Sequence, residues 1–221
     1  MQTRKFPVFP LPNLVFFPKV IIPLHIFEPR YRIMIQDILE HEQQIGMLLL
    51  KKGWEKDYFG TPETFRIGCV GAIEAFEKLP MGRFNVLLRG IQKFEVVNFT
   101  QHAPYRCVEA RMLRDEDFNF TRAEKSRLFR HLWEISHRYA RVVLQLSPAA
   151  VFGEVQEGDL EALINQTAMI LDIDIFEKQK LLELPSLEKR YYFIKQTIDE
   201  RLAGNRLLHQ VDKLDFDPIM N

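Results

Sequence analysis

A proline-rich and strongly apolar stretch near the N-terminus constrains the fold of this chain more than any other feature. Residues 6–31 have the sequence FPVFPLPNLVFFPKVIIPLHIFEPRY, in which Pro29 is the last of the prolines. Proline fixes φ and lacks a backbone N–H, so no helix can run through this stretch. The density of aromatic and aliphatic side chains argues against a solvated loop. We therefore predict two or three short strands, with prolines at strand starts, edges and turns.

The segment that follows has the spacing of an amphipathic helix. Pro29 is tolerated in a first helical turn, and residues 30–40 continue from it. Four apolar side chains share one helical face. They are Tyr31, Met34, Ile35 and Ile38. The N-terminal stretch is thus expected to feed directly into a helix.

Strand and turn signals continue to about residue 117. Residues 66–79 and 84–89 are predicted to form a hairpin around the turn Pro80-Met81-Gly82-Arg83, and Gly90 is predicted to end the second strand. Residues 92–99 and 105–113 are predicted to be further strands.

The hydrophobic period becomes helical from Thr121 onward. Thr121 and Glu124 form a capping box, and the helix that they begin is predicted to continue until Pro148. Further amphipathic helices follow, and Gly204 is predicted to end the last one as its C′ residue.

Three stretches resemble the N-terminal domain family of Lon proteases. They are PLPNLVFFPKVIIPLHIFEPRYRIMI near the N-terminus, GCVGAIEAFEKLPMGRFNVLLRGIQKFEV at 68–96, and DIFEKQKLLELPSLEKRYYFI at 174–194. The resemblance covers residues 6–203 and is greatest to short stand-alone bacterial members of the family. It implies an α+β fold, with an N-terminal six-stranded PUA-like pseudo-barrel carrying one helix and a C-terminal helical bundle. We predict subdomains at 1–117 and 118–204, and a tail at 205–221 that either extends the last helix or is poorly ordered.

Composition and motifs narrow the functional classes. Thirty basic and thirty acidic residues cancel, which disfavours a general nucleic-acid or anionic-membrane binder. The two cysteines form no CxxC pair, and no segment has the length of a signal peptide core or membrane span, so we predict a cytoplasmic protein without a membrane partner. The resemblance leaves homo-oligomer formation open.

The motifs of enzymatic catalysis are missing from the sequence. There is no P-loop, no GxSxG, no HExxH and no GxGxxG, and nothing resembles the Ser–Lys peptidase domain of Lon proteases. The six histidines are scattered along the chain. We predict a non-enzymatic protein without catalytic residues, cofactor or metal.

The resemblance implies a module that binds unfolded or extended protein segments or a partner protein, as an adaptor in proteolysis or protein quality control. We place the binding residues in the N-terminal signature: Phe16, Phe17, His25, Phe27, Arg30 and Tyr31. In the pairs Phe16–Phe17 and Tyr191–Tyr192, one ring is expected to face the core and the other to point outward.

Other interpretations remain open at this point. His25 can be a structural histidine that bonds backbone or Glu28 before the helix, and Arg89 can pair with Glu28 or with another carboxylate inside the barrel. An RNA-binding PUA-like module is the main alternative, because a helix from Thr121 carries many basic side chains. They are Arg122, Lys125, Arg127, Arg130, Arg138 and Arg141. An enzyme that acts on a small ligand is the least favoured interpretation, because no residue pattern indicates a particular reaction.

Overall fold

The computed structural model describes residues 3–57 and 60–214 and confirms the α+β class. The strands are β1 (Thr3–Leu11), β2 (Ile21–Ile26), β3 (Gln44–Leu49), β4 (Ile67–Leu79), β5 (Arg83–Gln101) and β6 (Arg106–Leu113). The α-helices are α1 (Pro29–Leu39), α2 (Arg122–Val142), α3 (Pro148–Phe152), α4 (Leu160–Ile170), α5 (Ile175–Glu183) and α6 (Leu187–Leu214). No helix in the described ranges is both long enough and apolar enough to span a bilayer.

The six strands form one sheet in the order β2-β5-β4-β3-β1-β6. An additional pairing of β5 with β6 makes the succession β1–β3–β4–β5–β6 a closed cycle. The β1–β3 pair is parallel, and the other pairs are antiparallel. β2 lies outside the cycle, against the N-terminal half of β5.

Gly90 lies inside β5 and does not end it, so the prediction of a strand break there is wrong. A Cβ atom at Gly90 would lie 2.2 Å from the carbonyl oxygen of Phe17, so only glycine permits this close approach. The register shifts at the same point, where Gly71 pairs with Gly90 and Val70 with Gln92. The glycine thus marks a bulge in a long strand.

The closed cycle surrounds a dense apolar core. Phe6 and Phe94 meet edge to face with ring centroids 5.0 Å apart, a favourable geometry for aromatic pairs. The buried residues of this cluster are Phe6, Val8, Leu48, Val70, Phe94, Val96, Val108 and Ala110. The packing requires glycine at position 46, because a Cβ atom there would lie 2.7 Å from the Phe6 ring.

The helix predicted after Pro29 is confirmed. α1 begins at Pro29, and its buried face consists of the four predicted residues, from Tyr31 to Ile38. Glu28 is the N-cap residue, but its side chain caps no backbone N–H.

The chain forms two compact units. The first contains the six strands, α1 and α5, and the second contains α2, α3, α4 and α6. The sequence prediction placed all helices after residue 118 in one subdomain, whereas the structure groups Ile173–Pro185 with the sheet. Gln179 of α5 donates to the Ile67 carbonyl at 2.9 Å.

A buried lysine explains why α5 belongs to the sheet unit. The ammonium of Lys93 donates to the carbonyls of Leu182 and Leu184, both at 3.0 Å, at the end of α5. It also forms an ion pair with Asp115, and both side chains are almost fully buried. A buried charge requires such partners, so this long-range cluster fixes α5 against the sheet.

The second unit begins with the predicted capping box. The Glu124 N–H donates to Thr121, and the Thr121 N–H donates to the Glu124 carboxylate. α2 ends at Val142, so the prediction that it continues to Pro148 is wrong. Gln145 has a φ of 56°, a left-handed conformation that ends helical geometry before Pro148.

The last helix does not end at Gly204, contrary to prediction. α6 continues to Leu214, and residues 205–214 therefore extend it. A Cβ atom at Gly204 would meet nothing within 4 Å, so this position is open and glycine is not required there. Residues 215–221 of the predicted tail lie outside the described residues.

Candidate functional site

The predicted aromatic pair Phe16–Phe17 is buried. The exposed fractions of the two side chains are 1% and 0%, so the prediction that one ring points outward is wrong for this pair. Phe16 packs near Gly71, and the Phe17 backbone packs against Gly90. These rings stabilise the fold and offer no surface to a partner. In the pair Tyr191–Tyr192 the prediction is confirmed, since Tyr191 is buried and Tyr192 is 50% exposed.

Arg30 and Tyr31 also face inward to a large extent. Tyr31 is buried against Phe9, with ring centroids 4.1 Å apart. The Arg30 guanidinium lies over the Tyr31 ring and pairs with the Glu28 carboxylate at 3.1 Å. They line a cavity of only 20 Å³ together with Arg106, enough for about one water molecule. This cavity is too small for a peptide side chain.

His25 and Phe27 are exposed and lie on the part of the sheet that contains β2. We call this part the outer arm; it comprises β2 and the adjoining Phe27, Glu74–Leu79 of β4 and Arg83–Arg89 of β5. The exposed fraction of Phe27 is 59%, and its ring stacks on His25 with centroids 6.0 Å apart. Two of the six predicted residues are therefore brought together on an accessible surface.

A polar row crosses the outer arm at His25. The Nδ1 atom of His25 lies 2.8 Å from Oδ1 of Asn85, and Nδ2 of Asn85 donates to the Glu77 carboxylate at 3.0 Å. These three residues are register partners on adjacent strands. The structural role of His25 is thus a bond to Asn85, in place of the backbone or Glu28.

An apolar row lies beside this polar row. Pro23 pairs with Leu87, and Leu87 pairs with Ala75, so the three side chains cross the same face. Leu87 is 43% exposed, and its row partners Pro23 and Ala75 are exposed as well, so the three residues form a contiguous apolar patch. A groove of 490 Å³ lies at this part of the arm, and its lining includes the three residues of the apolar row together with Leu24, His25, Phe76, Glu77, Asn85 and Val86.

A second polar row bounds the apolar row on its far side. Arg89 pairs with Glu74, and both side chains are more than one third exposed. Arg89 therefore has a carboxylate partner, as the sequence suggested, but the pair lies on the same face as Pro23, Leu87 and Ala75. We call this face the outer face of the arm. The face consequently has an apolar strip between two polar rows, an arrangement suited to binding a chain with apolar side chains.

Sequence reasoning missed Leu87, Phe76 and Asn85. Alternation in FNVLLR separates Asn85, Leu87 and Arg89 from Phe84, Val86 and Leu88, but both sets contain leucine. The polar partners Asn85 and Arg89 are the signal that could have identified the exposed set.

Three titratable groups of the sheet unit that lie away from this face have shifted pKa values. Burial raises the pKa of Tyr105 to about 12, and its hydrogen bond to Asp37, 2.8 Å long, acts in the same direction. Burial also raises the pKa of the Cys69 and Cys107 thiols. In the described ranges, no three His, Cys, Asp or Glu side chains are arranged to hold a metal ion.

The second unit has a groove of its own. Its volume is 690 Å³, and its lining includes the basic residues Arg127 and Arg130. Glu134 and Glu157 line the same groove, so its charge is mixed. A phosphate backbone is bound by clustered cations, and this groove does not provide a cationic cluster.

Comparison with known proteins agrees with this architecture. The family model of the ATP-dependent protease La (LON) substrate-binding domain matches residues 5–199. The chain is similar to a Lon protease of Anaeromyxobacter dehalogenans, with 26% identity over 93% of this chain and 24% of that protein. It is 29% identical to a Lon protease of Azorhizobium caulinodans over 99% of this chain and 26% of that protein. The chain thus spans about a quarter of the length of the curated relatives that it matches.

Two solved structures share the fold. A Lon N-terminal domain protein from Xanthomonas campestris matches with a TM-score of 0.59 and 19% identity, over 87% of this chain and 98% of that one. The N-terminal domain of the Mycobacterium avium complex Lon protease matches with a TM-score of 0.63 and 13% identity, over 89% and 98%. From the family match over most of its length, the chain belongs to the Lon substrate-binding domain family.

Proposed function

We propose that this protein recognises unfolded or extended protein segments without catalysing a reaction on them. The observation that carries the proposal is the exposed apolar strip on the outer arm, in a chain of the substrate-binding domain family. Leu87 is the main contact within the strip. Phe27, which stacks on His25 beyond the polar row, adds a second apolar contact at the border of the strip. Of the predicted residues, this site retains His25 and Phe27.

The shape of the strip suits a flexible, extended chain. A shallow groove between polar rows accepts alternate side chains of an extended segment, while the polar rows keep the free surface soluble. Rigid rings such as Phe27 provide contact area at a low cost in side-chain entropy. An adaptor role in proteolysis follows if bound segments are delivered to a protease, and a cytoplasmic location stays a prediction.

RNA binding is not favoured by the family or by the charge of the grooves. The basic side chains of α2 are spread along 21 residues and interleaved with Glu124 and Glu134. A salt-sensitive complex with RNA would restore this alternative.

The proposal is tested by fluorescence anisotropy with a labelled, permanently unfolded protein. The double variant Leu87→Ser/Phe27→Ser is expected to weaken binding by about tenfold or more, since large central apolar contacts dominate such interfaces. Tyr192→Ser is the matched control, because Tyr192 is an aromatic residue of similar exposure in the second unit. Unchanged affinity of the double variant, or an equal loss in the control, would contradict the proposed site.

A further inference from the structure

Two edges of the outer arm have no strand beside them in the described part of the chain. Among the described residues, β2 pairs only with β5. β4 pairs with β3 as far as Ala72, and the Ile73 N–H still donates to the Gln43 carbonyl. From Glu74 onward, the described residues that pair with β4 all belong to β5. Residues 74–78 of β4 are all exposed, as expected for an edge that nothing covers.

The hydrogen-bonding direction of each residue in the arm follows from one bond. The Gly90 N–H donates to the Val20 carbonyl at 2.8 Å, so even-numbered residues of β5 bond towards β2. Odd-numbered residues of β5 therefore bond towards β4. On β4, Phe76 and Lys78 pair with even-numbered residues and must direct their N–H and C=O groups to the open side.

The same alternation shows that the β2 edge is blocked. Pro23 pairs with the odd-numbered Leu87, so its backbone faces the open side of β2. Proline has no N–H to donate, and proline on an edge strand prevents another strand from pairing there. The β4 edge contains no proline from Glu74 to Leu79. The outer arm thus has one protected and one unprotected edge.

We propose that an extended segment of the recognised protein joins the free edge of β4 as an additional strand. This inference rests on the proposed function and specifies how the segment is held. The backbone groups of Phe76 and Lys78 would fix the segment independently of its sequence, as in other cases of strand addition. Adjacent side chains of the segment would alternate between the outer face and the opposite face of the arm.

Charge specifies the segment further. The Glu77 carboxylate lies on the outer face, accepts a hydrogen bond from Asn85 and has no ion pair within the described residues. A basic residue of the segment opposite Glu77 would complement it. On the opposite face, Phe76 is 50% exposed and offers an apolar neighbour. The preferred segment is therefore extended, free of proline, and alternates basic with apolar side chains.

A second copy of the chain is a weaker candidate for this edge. A pair of β4 edges would exchange only the few bonds of Phe76 and Lys78, whereas stable interfaces bury about 1,200–2,000 Å². An extended segment is not limited to the edge, because it can continue over the neighbouring apolar strip.

The test compares Lys78→Pro with Lys78→Thr in the full chain. Proline at this position removes an N–H that points outward, so it costs the fold little, and threonine keeps the N–H while removing the same charge. The probe is the labelled unfolded protein used above, together with a synthetic peptide of alternating lysine and leucine. Strand addition predicts about tenfold weaker binding of both probes to Lys78→Pro and near-normal binding to Lys78→Thr.

A second measurement does not depend on the variant folding. The peptide is N-methylated at every other amide, in each of the two alternating sets, and tested with the unaltered protein. Strand addition predicts that one set abolishes binding and the other is tolerated, because alternate amides face the edge. Equal binding of both methylated peptides, or of both Lys78 variants, overturns strand addition while leaving side-chain recognition intact. If the unaltered protein bound neither probe, the proposed function itself would be overturned.

Discussion

The closed part of the sheet and the outer arm share two strands, β4 and β5, but differ in how far the side chains of these strands are exposed. In the closed part, their side chains fill a core with Phe6, Val108 and other apolar residues. In the arm, Leu87 and Phe76 stay exposed. The difference shows that a strand can stabilise the fold with one half and remain available for binding with the other half.

The buried lysine cluster is where breaking the closed part should cost most. Lys93→Met would leave the buried Asp115 carboxylate without the Lys93 cation and would remove the ammonium that donates to the carbonyls of Leu182 and Leu184. We expect the free energy of unfolding to fall by about 3–5 kcal/mol, as for other broken buried ion pairs. Urea denaturation measures this change.

The matched control removes an exposed lysine. Lys195→Met breaks the pair with Asp199, 2.6 Å long, on the surface of α6 and should cost about 0.5 kcal/mol or less. If the two variants were equally stable, the buried cluster would not be what holds α5 to the sheet.

A methyl group added inside the closed part should also destabilise the fold. In Gly46→Ala the new Cβ would lie 2.7 Å from Phe6 and 2.9 Å from Phe94, and overpacking of this kind costs about 1–3 kcal/mol. Gly204→Ala provides the contrast. Its Cβ would meet nothing within 4 Å, and replacing glycine inside a helix gains about 0.5–1 kcal/mol. Thermal unfolding of both variants should therefore give shifts of opposite sign.

Substitutions on the outer arm should change stability little. Arg89→Gln removes an ion pair with Glu74 that is exposed, and exposed pairs contribute about 1 kcal/mol or less. We expect a small fall in the denaturation midpoint relative to the unaltered protein. Added salt should make this difference smaller, because it screens the ion pair. If the free energy of unfolding fell as much as in Lys93→Met, the arm would contribute to global stability as strongly as the closed part.

The two thiols sharpen the comparison without any substitution. Cys69 is fully buried in the closed part, and burial raises its pKa; Cys107 is partly exposed, and burial with the charge of Asp37 raises its pKa to a smaller degree. We expect a thiol reagent to modify Cys107 in the folded protein, at a rate that rises with pH, and Cys69 only after unfolding.

The same shifts give stability a pH dependence with a definite sign. The unfolded chain releases its thiol protons at a lower pH than the folded chain. The contribution of the thiols to the free energy of unfolding is therefore fully present below the ordinary thiol pKa. It is lost as pH rises above that value towards the raised pKa of the folded protein. Equal modification of both cysteines in the native protein would contradict the burial of Cys69.

The sequence could predict features that depend on neighbours along the chain. Pro29 and the spacing from Tyr31 to Ile38 define α1, and the bonds between Thr121 and Glu124 define the start of α2. The family resemblance supplied the six-stranded pseudo-barrel and the helical bundle, whereas periodicity alone gives only strands followed by helices.

Features that depend on distant partners could not be predicted. The burial of both Phe16 and Phe17 depends on close packing at Gly71 and Gly90, residues more than fifty positions away. The placement of α5 depends on Lys93, about ninety positions before it. The exposure of Leu87 depends on β2 pairing at the outer edge of β5. Local spacing does not reveal pairings between such distant parts of the chain, although the polar neighbours Asn85 and Arg89 indicate which residues of β5 are exposed.

The grouping of Ile173–Pro185 with the sheet has a practical consequence for dissecting the protein. A recombinant fragment that stops near residue 117 would contain every strand, yet it would lack the α5 carbonyls that bind Lys93. The Lys93 ammonium and the Asp115 carboxylate would then lie beside the space that α5 fills in the full chain. The sheet unit is discontinuous in sequence, so a minimal soluble version requires residues 173–185 to be rejoined to it by a linker. Boundaries drawn at the change from strands to helices would cut through a single folded body.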